Sequence, residues 1–177
     1  ETPSSPSRSI AIFSQVLWPY PYPHMTVVDG PASCGGMEYP MMTCDGGDWN
    51  ERTLFDVEAH EIAHMWFPMQ VGSDEKRYAW MDEGMAQYFQ SVAIDQVFPD
   101  ADDVGENRRN YVGAVRYGKE TEMMRYGDKY PDYNAYGIAS YFKPATVLVA
   151  LGGVIGDSTM MRGLRGYGKR WGGKDPV

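Results

Sequence analysis

The string that most constrains this 177-residue chain is His60-Glu61-Ile62-Ala63-His64. Residues four apart on an α-helix share a face, so both imidazoles can aim at one ion. Glu61 is turned by about 100° around the axis, beside that ion, where a carboxylate can take a proton from water. Two histidines do not complete a catalytic zinc site, which takes three protein ligands and keeps a fourth position open. After His64 come eighteen residues and then Glu83, within Trp80-Met81-Asp82-Glu83-Gly84-Met85-Ala86. A connection of that length brings Glu83 back at the start of a following antiparallel helix. The chain has only three histidines, two of them in this string, which makes chance placement a poor explanation. The expectation is one Zn2+ held by His60, His64 and Glu83, with Glu61 as general base. Asp82 and Gln87 flank the third ligand and are candidates to orient the imidazoles. His24, in a proline-rich connector, reads as structural or surface.

Around this string the pattern predicts a small sheet-like lobe followed by a mostly helical one. A polar lead-in over residues 1–7 precedes a partly helical apolar pattern over residues 8–18, stopped by Pro19. Residues 25–28 and 35–43 read as extended, closed by Asp29-Gly30 and Asp45-Gly46-Gly47. Residues 54–67 read as the helix of the His-Glu string, with Thr53 as a candidate cap and Pro68 past its end. Further helices are expected over residues 81–97, 103–125 (weakened by Gly113 and Gly118), 138–151 and 158–170, with loops at 72–77 and 127–136. Trp66 and Phe67 are expected to pack the back of the metal helix, and the paired methionines to fill core.

The formal charge of -8 argues against a nucleic-acid partner, which would need a basic face. The apolar runs fall short of the roughly 18 residues that span a membrane. No targeting segment is read, so the compartment stays open between cytoplasmic and secreted or periplasmic. Cys34 and Cys44 lack Cys-x-x-Cys spacing; they read either as a small disulfide loop or as two free thiols.

Several stretches together resemble the aminopeptidase N family of zinc metallopeptidases, the gluzincins. The spacing from His60 through His64 to Glu83 recurs there. Gly35-Gly36-Met37-Glu38-Tyr39 resembles the family's GxMEN exopeptidase motif, with Tyr39 in place of its asparagine. Tyr141-Phe142-Lys143 resembles its Tyr-x-Lys segment, and Pro21-Tyr22-Pro23 also has a family look. The similarity runs over residues 8–174. It implies an α+β, thermolysin-like catalytic domain. It also implies that Glu38 reads the free α-amine of a peptide, beside Gly35, Gly36 and Met37. Tyr141 would donate to the oxyanion, with Tyr136 as a second tyrosine near the substrate. Family enzymes carry a large β-rich domain before this one and a helical region after it. Residues 1–177 therefore read as one catalytic domain, isolated, fragmentary or reduced.

The function implied is a zinc-dependent aminopeptidase that releases the N-terminal residue of peptides through zinc-activated water. The alternatives are a zinc endopeptidase of the same class, or a weakly active or non-catalytic zinc-stabilised peptide-binding domain. Oligomeric state and residue preference are not legible.

Overall fold

The computed structural model describes residues 5–176. Helix α1 (Ser5–Val16) leads into a three-stranded sheet of β1 (Thr26–Val28), β2 (Glu38–Tyr39) and β3 (Met42–Cys44). Helices α2 (Glu51–Ala63), α3 (Glu75–Val97) and α4 (Asp103–Arg116) follow. After a 3-10 turn at Gly127–Lys129 come α5 (Tyr133–Gly137), a π-helical segment (Ile138–Phe142), α6 (Lys143–Ile155) and α7 (Asp157–Trp171). This is the expected α+β arrangement. The first four residues of the polar lead-in lie outside the described residues, and from Ser5 onward the lead-in already belongs to α1.

The sheet order is β1-β3-β2, with β1 parallel and β2 antiparallel to β3. The β2–β3 hairpin turns through Pro40 and Met41, the latter at φ 61. Cys34 and Cys44 are joined as a disulfide, with Cα atoms 6.1 Å apart. The bridge closes a covalent ring around the segment that carries Glu38.

The metal helix begins earlier than expected. Asn50, not Thr53, is its cap: the Asn50 side-chain oxygen accepts from Thr53 N at 3.0 Å, the usual service of asparagine to an orphan first-turn N–H. The helix ends at Ala63, yet His64 keeps helical torsions (φ -59, ψ -20), so the four-residue spacing of the imidazoles survives. Helix α3 also starts early, at Glu75, capped by Asp74. Its backbone breaks at Tyr78 (φ -135, ψ 49), so the stretch beyond that kink corresponds to the helix read from about residue 81. Helix α4 stops at Arg116 instead of running to 125, and Gly118 just beyond it sits at φ 65, a left-handed turn that glycine adopts at low cost.

The core forms where α1, α2 and α3 meet. Phe13, Trp66 and Phe89 are fully buried, with Phe13 edge-on to Trp66 at 5.7 Å and to Phe89 at 6.2 Å. Phe67 stacks on Phe89 at 6.0 Å. Trp66 Nε1 donates to Trp18 O at 3.0 Å, so its one polar atom is satisfied. Trp66 and Phe67 thus back the metal helix as expected. Trp66→Ala is expected to cost about 3–5 kcal/mol in urea denaturation, the range for emptying a buried aromatic site.

Residues 133–155 stack α5, the π segment and α6 into one rod of 23 residues, long and apolar enough by composition to cross a membrane. It exceeds the apolar runs read from the sequence because three helical pieces join end to end. The rod packs against α3 and α4 and carries Tyr141 to a cavity it shares with residues of α2 and α3.

Candidate metal centre

Three donor atoms converge between α2 and α3. One atom each from His60, His64 and Glu83 lie within 4.8 Å of one another. His60 Nε2 stands 3.1 Å from Glu83 Oε2, and His64 Nε2 stands 3.5 Å from the same oxygen. The second nitrogen of each ring is engaged elsewhere. His60 Nδ1 donates to Gln90 Oε1 at 3.0 Å. His64 Nδ1 faces Phe67 O at 3.1 Å and Asp82 Oδ1 at 2.7 Å. Fixing Nδ1 in this way leaves both Nε2 atoms to serve the cluster, the arrangement typical of histidine metal ligands. Two imidazoles and one carboxylate, all largely buried, make a donor set that fits Zn2+.

The electrostatics follow from crowding these groups out of water. Burial alone would raise Glu83, but hydrogen bonds from His60 and His64 and their charges override it and hold Glu83 well below the usual carboxylate range. Burial would lower His64, and the neighbouring Asp82 and Glu83 instead hold it well above the ordinary imidazole value. Burial pushes Glu61 up to about 7, against the opposing pull of His60 and His64. Glu61 Oε2 is sealed from solvent and has no hydrogen-bond partner among the described residues.

These residues line a cavity of about 460 Å3. Gly35, Gly36, Met37 and Glu38, at the entry to the hairpin, line it together with His60, Glu61 and His64. Gly36 is required by closeness: a Cβ there would fall on the Glu61 carboxylate and meet Val57 Cγ1 at 3.1 Å. Glu38 reaches the cluster as well, its carboxylate grouping within 4.8 Å of donor atoms of His64 and Asp82. Burial raises the Glu38 carboxyl.

Tyr141 lines the same cavity and stacks on His60, with centroids 5.7 Å apart and planes 15° from parallel. It sits in the π segment, a local widening often found at functional positions. Burial and the nearby charge of Glu83 push its hydroxyl well above the ordinary tyrosine value, so it stays a proton donor. Gly84 fixes this segment against α3, since a Cβ there would lie 2.5 Å from Pro144 Cβ and 3.2 Å from Ser140 O.

The sequence-read candidates divide at this point. His60, Glu61, His64, Glu83, Glu38, Gly35, Gly36, Met37 and Tyr141 all line one cavity. Tyr136 instead lines the adjoining cavity with Tyr130 and Tyr133, touching Tyr141 edge-on at 6.2 Å. Asp82 faces His64 as anticipated, but Gln87 donates to Asn107 Oδ1 at 3.2 Å. The partner of His60 is Gln90, which sequence reading missed. The available signal was its place seven residues after Glu83, two helical turns along the same face. Trp49, another wall residue, was missed too.

Residues 7–175 match the Peptidase family M1 domain. The chain belongs to peptidase family M1. Among M1 relatives it is 31% identical over 94 residues to Aminopeptidase M1 of Arabidopsis thaliana, covering 46% of this chain and 11% of that protein. It is 24% identical over 187 residues to Aminopeptidase M1-B of Oryza sativa subsp. japonica, covering 93% of this chain and 21% of that one. The fold is that of an M1 zinc metallopeptidase from Deinococcus radiodurans, at TM-score 0.80 and 22% identity over 100% of this chain and 39% of that one. A mutant of that metallopeptidase bound to a Tyr-Ser-Ala substrate aligns at TM-score 0.81 and 22% identity with the same coverage. The chain therefore spans a small part of the length of the M1 proteins it matches.

Proposed function

We propose that residues 1–177 form a zinc-dependent aminopeptidase catalytic domain, which hydrolyses the first peptide bond of substrates with a free N-terminus. The observation that carries this reading is that Glu38 and Glu61 face one cavity together with the His60, His64 and Glu83 donor cluster. Membership of family M1 and the Tyr-Ser-Ala substrate of the Deinococcus radiodurans metallopeptidase support it.

His60, His64 and Glu83 would hold the zinc. Zinc supplies a Lewis acid that polarises a carbonyl and makes a water more acidic. Glu61, with one carboxylate oxygen unpartnered, takes the proton of the attacking water and passes it to the leaving amine. The Tyr141 hydroxyl donates to the oxygen that gains charge as the carbonyl carbon becomes tetrahedral. Glu38 pairs with the substrate ammonium, a charge-assisted contact that a blocked N-terminus cannot make.

The test is hydrolysis of amino-acid amides against N-acetylated peptides, with zinc and with a chelator. Free amides should be cleaved, blocked peptides should not, and chelation should abolish turnover until zinc is restored. Cleavage of blocked peptides would make the domain an endopeptidase, and no amide hydrolysis by zinc-loaded protein would leave a peptide-binding role. A second expectation concerns Gln90. Gln90→Ala should weaken zinc binding by about 10–100-fold, the usual cost of removing a group that orients a ligating histidine. Competition with a metal-sensitive dye measures it.

A further inference from the structure

The stretch that carries Glu38 is joined to the molecule with little help from its core. Among the described residues, the buried hydrophobic cluster and the side chains packed on it include none between Val27 and Phe55. Met37 is 37% exposed and Tyr39 45%, so neither neighbour of Glu38 anchors it. Strand β2 pairs only Glu38 with Thr43 and Tyr39 with Met42. Ahead of it, Cys44 N donates to Met37 O at 3.0 Å and Gly46 N to Gly35 O at 3.1 Å. The Cys34–Cys44 bridge closes this short ladder. It stands where a larger body would place apolar side chains, the usual service of a disulfide where core is scarce.

Both cysteines are partly exposed, so a thiolate can reach the bridge. Attack on one sulfur forms a mixed disulfide and frees the other cysteine as a thiolate. The second thiol of a dithiol then displaces the first. Cys34 and Cys44 are left as thiols and the dithiol is oxidised, two electrons and two protons having passed to the protein. The metal donors are held by other means, since Gln90, Phe67 and Asp82 support the two imidazoles and α2 and α3 are rooted in the core. We propose that the Cys34–Cys44 bridge positions the wall of Gly35, Gly36, Met37 and Glu38, and that its reduction switches off amine recognition while the metal site stays assembled. The role of Glu38 in this rests on the aminopeptidase reading; the loosening of the wall does not.

The test compares the zinc-loaded chain before and after treatment with a water-soluble trialkylphosphine, which yields the same two thiols and becomes the phosphine oxide with the oxygen of water. Titratable thiols should rise from none to two per chain. Hydrogen exchange over residues 35–38 should quicken by about tenfold or more, with α2 and α3 unchanged. The KM for leucine amide should rise by about tenfold while kcat moves by less than about threefold, the pattern of a lost binding contact. Reoxidation should restore the starting values. Cys34→Ser combined with Cys44→Ser should behave as the reduced chain and ignore the phosphine. Three results overturn the switch: unchanged exchange and KM once both thiols are counted, an equal response in the double variant, or loss of zinc and general unfolding on reduction. The last would mean that the bridge holds the whole fold. Leucine amide left intact by the oxidised chain would instead sink the aminopeptidase reading, and amine recognition with it; hydrogen exchange would then decide alone whether the bridge holds the wall.

Discussion

Glu61→Gln is expected to keep its zinc while turnover of free amino-acid amides falls by about 10²–10⁴-fold, the usual contribution of a positioned general base. The amide is nearly the size of the carboxylate, so the packing of a largely buried side chain survives. What disappears is the capacity to accept a proton. His60, His64 and Glu83 keep their geometry, because their supports come from Gln90, Phe67 and Asp82 and not from Glu61. Metal content by atomic absorption and kcat on an amide substrate are the two measurements. Full activity in the variant would sink the assignment of the base, and loss of zinc would mean that Glu61 belongs to the ligand set.

Gly36→Ala is expected to reach nearly the same end without removing any functional group. Its new Cβ would occupy the place of the Glu61 carboxylate. The flexible end of Glu61 can swing aside, so the folded state should lose little stability. The base, however, is displaced, and a misplacement of about 1 Å can cost on the order of 10²-fold in rate. The expected pattern is a near-native Tm, normal zinc content and a kcat lowered by about two orders of magnitude. A variant with native kcat would show that Glu61 tolerates displacement and so does not act in the way proposed.

The sequence made the donor cluster legible for a physical reason. His60 and His64 lie on one helix, so their relation depends on a single repeat, and Glu83 needed only a connection of adequate length. Gln90 shares the face of Glu83 two turns along α3, but that it meets His60 depends also on how α3 is rotated against α2, which the periodicity of one helix does not encode. Tyr136 and Tyr141 were grouped by nearness in sequence. Five residues turn an α-helix by about 140°, so nearness in sequence does not put them on one face, and the two rings line neighbouring cavities. Helix ends were misread where one residue's torsion decides them, as at Tyr78 and Gly118. The cysteine pairing stayed open in the sequence because ten residues of separation permit either state. The hairpin decides it by folding the two residues together.

The covalent ring from Cys34 to Cys44 has a consequence for affinity. A loop that must be ordered by its ligand surrenders conformational entropy at the moment of binding, and that loss is subtracted from the contact energy. Here the ends of the segment are joined, its middle is paired into a hairpin, and Gly36 rests against Glu61. Most of the freedom that a substrate would otherwise have to quench is already absent before it arrives. In the aminopeptidase proposed above, Glu38 would therefore meet an ammonium group already in place, so that even a substrate as small as an amino-acid amide would find a finished binding wall.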